Sequence, residues 1–122
     1  MSVGSGVSSA RALGSGLWAT VAGETDGNVC LSPFSVAVAL GMAMAGADGQ
    51  TRSEMEDVLG GGDGLGDLTR LLAQEVDDDV VLEAANALFA QAGVPWRRAF
   101  LDTLTDEFGA EPSMVDFGET EA

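Results

Sequence analysis

One stretch, residues 28–47, constrains the fold more than any other. It reads NVCLSPFSVAVALGMAMAGA, and no charged side chain occurs between Leu31 and Ala47. Ser32 followed by Pro33 is a helix-start pair. The serine hydroxyl accepts from an orphan backbone N–H, and proline at the first helical position loses nothing by lacking one. The residues that follow are apolar on every face: Phe34, Val36, Val38, Leu40, Met42 and Met44, with alanines between them. A helix apolar all round is either buried in protein or placed in a membrane. A membrane span needs about 20 apolar residues. This run is slightly short, rich in Ala and Gly, and interrupted by Ser35, so a core helix is the expectation.

The residue types present exclude much chemistry. The chain has 20 acidic residues against five basic ones, for a net charge of −15, and it has no His and no Tyr. The five basic residues are Arg11, Arg52, Arg70, Arg97 and Arg98. Without His there is no Ser-His-Asp or Cys-His arrangement, and without Lys no Schiff base or P-loop lysine. Paired carboxylates are the only acid-base groups left, so the chain is not expected to be an enzyme. No catalytic, cofactor or metal residue is assigned. An acidic surface repels phosphate, so neither nucleic acid nor a membrane is an expected partner. Cys30 is the lone cysteine, with Val29 and Leu31 beside it, and is expected to be a buried inert thiol. The N-terminus lacks a charged start followed by an apolar block, so no signal peptide is visible.

Residues 1–7 are rich in Ser and Gly and expected to be flexible. From Ser8 or Ser9, Ala10, Leu13, Leu17, Trp18 and Val21 fall near helical spacing, weakened by Gly14 and Gly16. A turn cluster over residues 23–27 ends this helix, and residues 28–31 form a short apolar run with strand character. Past Ala47, Asp48-Gly49 marks a tight turn, and Thr51-Arg-Ser-Glu54 fits a capping box with Met55, Val58 and Leu59 as its apolar face. Gly60 to Gly62 terminate that helix, and the glycine run to Gly66 reads as a flexible connector. It is no phosphate loop, since it has neither the lysine nor a preceding strand. Asp67 can cap a short helix carrying Leu68, Leu71 and Leu72. The Asp77-Asp78-Asp79 run lacks the alternating ligands and glycine of an EF-hand and reads as a solvated turn. Residues 80–91 are nearly continuous in apolar side chains. Periodicity does not separate a buried strand from a helix here, and the alanines favour helix. Trp96, Phe100, Leu104 and Phe108 then make a helical stripe closed by Gly109. Residues 112–117 show partial alternation, and the proline at their start suits an edge strand.

Several of these motifs together carry a resemblance. Asn28-Val-x-Leu-Ser32-Pro33-Phe34-Ser35, then the alanine-rich helix, then Gly46-Ala47-x-Gly49-x-Thr51, resembles the second helix and following turn of the serpin family. Downstream, Ala85-Asn86-Ala87-Leu88-Phe89, then Phe108-Gly109-Ala110-Glu111, then Val115-Asp116-Phe117, resemble the next serpin signatures in order and spacing. The resemblance implies an α+β fold: several helices and the first strands of a mixed sheet, in a partial serpin domain over residues 8–122. It makes residues 80–91 the second strand of the large central sheet. Serpins are mostly suicide inhibitors of serine proteases, whose cleaved reactive loop inserts into that sheet. Ser32 and Ser35 would then face the shutter where strands part, although Ser32 also suffices as a plain N-cap. The resemblance further implies a serine protease partner and an extracellular setting, with a cytoplasmic one left open by the missing signal peptide. Three departures stand against it: no reactive loop, no strands to receive one, and no shutter histidine. On the segment where some serpins bind heparin, only Arg70 is basic, so no heparin site is inferred. The chain is therefore expected either to be the N-terminal part of an inhibitor, not inhibitory by itself, or a non-inhibitory acidic interaction module derived from one.

Overall fold

The computed structural model describes residues 3–74 and 79–119. Five helices and two strands follow one another as α1 (Val3–Glu24), α2 (Pro33–Ala45), α3 (Gly49–Leu59), α4 (Leu65–Gln74), β1 (Ala87–Gln91), α5 (Arg98–Phe108) and β2 (Glu111–Val115). The strands are parallel, with Ala87 opposite Glu111 and Gln91 opposite Val115, and α5 is the crossover between them. Parallel neighbours cannot be joined by a tight turn, so the helix between them is a requirement of the topology.

The core lies where α1, α2, α4 and α5 meet. Val38, Leu59, Leu65 and Leu104 are fully enclosed, with Leu13, Met42, Met44 and Phe108 around them. The helices approach closely because small residues stand at the contacts. A side chain at Gly6 would collide with the Gly64 carbonyl, and one at Gly66 would come within 2.8 Å of the Glu107 carbonyl oxygen. At Gly14 it would lie 2.9 Å from the Pro33 ring. The glycines that weaken α1 as an isolated helix are thus part of what lets it pack.

Several expectations need correction. The helix expected from Ser8 or Ser9 starts at Val3, and its first turns lie against the turn before α4. Residues 28–31 are irregular, because no strand lies beside them to pair with among the described residues. Cys30 is exposed, since that irregular segment turns it away from the core. The capping box at Thr51 does not form. Asp48 is the N-cap, its carboxylate accepting from Gly49 N at 2.8 Å, and Thr51 lies inside α3. Glu54 accepts instead from the Gln50 side chain, four residues earlier. Asp67 does not cap α4, which begins two residues before it; it lies in the first turn, where a carboxylate suits the helix dipole, and pairs with Arg70. The glycine run is less a loose connector than expected, since Gly64, Leu65 and Gly66 are all buried. Val58 is exposed, although its neighbour Leu59 is fully buried. Asp77 and Asp78 lie outside the described residues.

The strand pattern is shorter than expected. Of residues 80–91 only the last five pair; 80–86 belong to neither helix nor strand, and Val80, Val81 and Leu82 are exposed. The apolar rod is α2, as expected, but only one side of it is buried. Ala37, Val38, Gly41, Met42 and Met44 face inward, while Ser35, Val36, Ala39 and Ala43 are exposed. Trp96 precedes α5 and stacks on Phe100 with ring centroids 6.2 Å apart. Gly60 and Gly109 end α3 and α5 in the left-handed conformation expected of C-terminal glycines. No helix among the described residues is long and apolar enough to cross a membrane.

Candidate functional site

The exposed side of α2 and the segment leading into β1 form the two walls of one groove, about 660 Å³ in volume. The α2 wall starts at its N-cap. Ser32 has an extended backbone (φ −111°, ψ 98°), and its Oγ accepts from Ser35 N at 3.2 Å. The two hydroxyl oxygens, Ser32 Oγ and Ser35 Oγ, are 2.9 Å apart and share a hydrogen bond. Pro33 occupies the first helical position and leans on Gly14 of α1. The opposite wall is residues 82–88. It is tied down by Asn86, whose Nδ2 donates to the Phe108 carbonyl at 3.4 Å. That bond satisfies one of the orphan acceptors at the C-terminus of α5. Met42, Phe100 and Leu104 line the groove between the walls.

Of the motif residues singled out from sequence, this groove unites Ser32, Ser35 and Asn86, with Pro33 and Phe108 just behind its walls. Gly109 caps α5 immediately after Phe108. Gly46 and Thr51 belong to a second groove, where α2 ends. There a side chain at Gly46 would come within 2.9 Å of the Phe100 ring, which accounts for glycine at that position. Asn28 is exposed in the irregular segment before α2, and Phe89 points away from the helices with 62% of its surface exposed.

Sequence reasoning missed a second polar feature, at the far end of the strands. Gln91 Nε2 donates to Asp116 Oδ1 at 3.1 Å, and Gln91 Oε1 accepts from Phe117 N at 3.0 Å. Trp96 Nε1 donates to the Gln91 carbonyl at 3.1 Å. The Gln91 hydrogen bond, and after it the Gly118 N–H, hold the Asp116 carboxyl below its ordinary pKa. Nothing in a lone Gln and Asp 25 positions apart announced this clasp.

The groove is suited to packing rather than to bond chemistry. Its hydroxyls hydrogen-bond to each other, and the chain has no histidine to activate either. No group of three or more potential metal ligands exists among the described residues. The groove is lined mostly by apolar side chains, with the Ser32 and Ser35 hydroxyls among its lining.

Comparison with known proteins identifies the fold. The model of the family described as "Serpin (serine protease inhibitor)" matches residues 8–122. The chain belongs to the serpin family. Mouse neuroserpin is 36% identical to it over 105 residues, covering 80% of this chain and 25% of neuroserpin. Iripin-8 of the tick Ixodes ricinus is 41% identical over 100 residues, covering 74% of this chain and 25% of the relative. The chain thus spans about a quarter of the length of these relatives. The solved structure of reaction-loop-cleaved lamprey angiotensinogen superposes with a TM-score of 0.87 at 31% identity, over 97% of this chain and 36% of the other. Emu ovalbumin shares the fold, with a TM-score of 0.73 at 19% identity. The helices and the two parallel strands of this serpin chain are therefore the N-terminal part of the serpin fold.

Proposed function

We propose that this chain is the sheet-bearing N-terminal part of a serpin that acts on a serine protease, and that alone it traps none. One observation carries the reading. Among the described residues β1 and β2 form a two-stranded sheet with no further strand at either edge, and its apolar residues Phe89 and Met114 are exposed. Two strands alone are marginally stable in water. An exposed apolar edge is a template for further pairing. Such a sheet makes sense as the start of a larger one. The Ser32–Ser35 end of α2 then lies where strands must slide past it, and small hydroxyls bonded to each other obstruct sliding little. On this reading the partner is a serine protease met outside the cell, and the bait loop is supplied by sequence other than these 122 residues.

The net charge of −15 favours a second reading. The family includes members that do not inhibit, and an acidic helical unit of this kind would serve as a non-inhibitory interaction module.

A chimaera separates the two. Residues 8–119 replace the matching segment of mouse neuroserpin, and the product is mixed with trypsin-like proteases. The inhibitory reading expects a covalent complex that survives denaturing electrophoresis, while the 122-residue chain alone gives none. A chimaera that melts cooperatively yet never forms the complex would favour the second reading. A covalent complex with the short chain alone would overturn the first.

A further inference from the structure

We propose that the segment joining β1 to α5 is a cleavage site for Arg-specific, trypsin-like serine proteases, with Arg97–Arg98 as the scissile bond. The inference rests on where the five basic residues fall, and it holds whether or not the parent protein inhibits.

Three of the five are shielded by helix. Arg11 lies in the middle of α1. Arg52 lies in α3, its Nε bonded to Glu56 at 2.9 Å and its Nη1 donating to the Met44 carbonyl at 3.3 Å. Arg70 lies in α4, paired with Asp67 and donating to the Asp106 carbonyl at 3.4 Å. A protease binds its substrate as extended chain with free backbone groups, which a helix interior does not offer.

Arg97 and Arg98 instead stand at the very start of a helix, where its backbone is least enclosed. Arg97 precedes α5 with an extended backbone (φ −68°, ψ 127°), and its side chain makes no capping bond. The Arg98 side chain is 91% exposed, with Asp102 at 3.8 Å. Every residue from 92 to 99 is exposed. Exposed loop segments are the preferred places for nicking. Two restraints are visible: Trp96 N donates to the Val94 carbonyl at 2.9 Å and Trp96 Nε1 to the Gln91 carbonyl, which kinks the segment, and the Arg97 carbonyl accepts from Phe100 N at 3.1 Å and Leu101 N at 3.3 Å as α5 begins. Opening the kink and fraying the first turn of α5 are the local steps that precede cleavage.

The chemistry is ordinary hydrolysis. The protease serine attacks the Arg97 carbonyl carbon, and the C–N bond to Arg98 breaks as its nitrogen takes a proton. Water then releases the Arg97 carboxylate from the acyl-enzyme. No oxidant or cofactor is needed.

The test is limited proteolysis of the intact chain with a trace of trypsin, followed by mass spectrometry over time. The first cut is expected after Arg97, at the Arg97–Arg98 bond. R97Q/R98Q should slow the first cut at least tenfold with an unchanged circular dichroism spectrum. Trp96→Ala, which removes the indole bond to Gln91 and the stack on Phe100, should speed it severalfold. A first cut after Arg11, Arg52 or Arg70 would overturn the proposal, as would a double variant cut as fast as the parent.

Discussion

The helical base and the two-stranded sheet treat the same kinds of side chain in opposite ways. In the base, Leu59, Leu65, Leu104 and Val38 are shut away from water, and the helix ends there are closed by Ser32, Asp48, Gly60 and Gly109. In the sheet only Ala90 is buried on β1, and Phe89 projects from the face turned away from the helices. The alternation of β1 is sound, with Leu88 and Ala90 inward and Ala87 and Phe89 outward. Among the described residues nothing covers the outward side of Phe89. One region encloses a cluster of large apolar side chains, and the other, among the described residues, encloses only Ala90 on β1. Stability is therefore concentrated in the helices, and the strands are the part able to rearrange.

Core against sheet gives the largest expected contrast. Leu104→Ala should cost about 2–5 kcal/mol, the range for emptying a closed site. Phe89→Ser should stay within about 0.5 kcal/mol, as exposed substitutions do. Urea midpoints measure both, and equal losses would end the distinction. Helix contacts sharpen it further. Gly66→Ala drives a methyl against the Glu107 carbonyl and should cost about 1–3 kcal/mol. Gly16→Ala, with nothing within 4 Å, should gain up to about 1 kcal/mol in the same assay. Ser32→Ala removes a cap and should cost about 0.5–2 kcal/mol, read from the melting midpoint.

The smallest effect concerns the clasp at the strand ends. The folded pKa of Asp116 is depressed, so its contribution is present above the unfolded value of about 4 and is lost as pH falls through the lower folded value. The Phe117 and Gly118 amide resonances should shift over that acid range, and Asp116→Asn should abolish the shift. Because the carboxylate is fully exposed, the melting temperature should hardly move.

How far sequence reached follows from what kind of signal each element carries. Ser32-Pro33, Gly60 and Gly109 are local devices whose meaning does not depend on distant chain, and each was read correctly. The family motifs added what periodicity could not: residues 87–91 are a strand despite their alanines. Errors arose where two local devices competed or where tertiary structure decides. Asp48 and Thr51 could each start α3, and the aspartate won because it meets Gly49 N directly. Cys30 looked buried from its apolar neighbours, but burial depends on what lies opposite, and the sequence does not print that. The Ser32–Asn86 groove and the Gln91–Asp116 clasp join residues far apart in the chain. The motif resemblance singled out Ser32, Ser35 and Asn86 without joining them, and nothing foreshadowed the clasp.

Amide hydrogen exchange of the monomeric chain, resolved by residue, tests the division most directly. The account predicts slow exchange through the middles of α1, α2 and α5, with β1 and β2 exchanging orders of magnitude faster despite their mutual hydrogen bonds. Strand amides protected as strongly as those of α2 would show a sheet already complete in itself, and the account would be wrong.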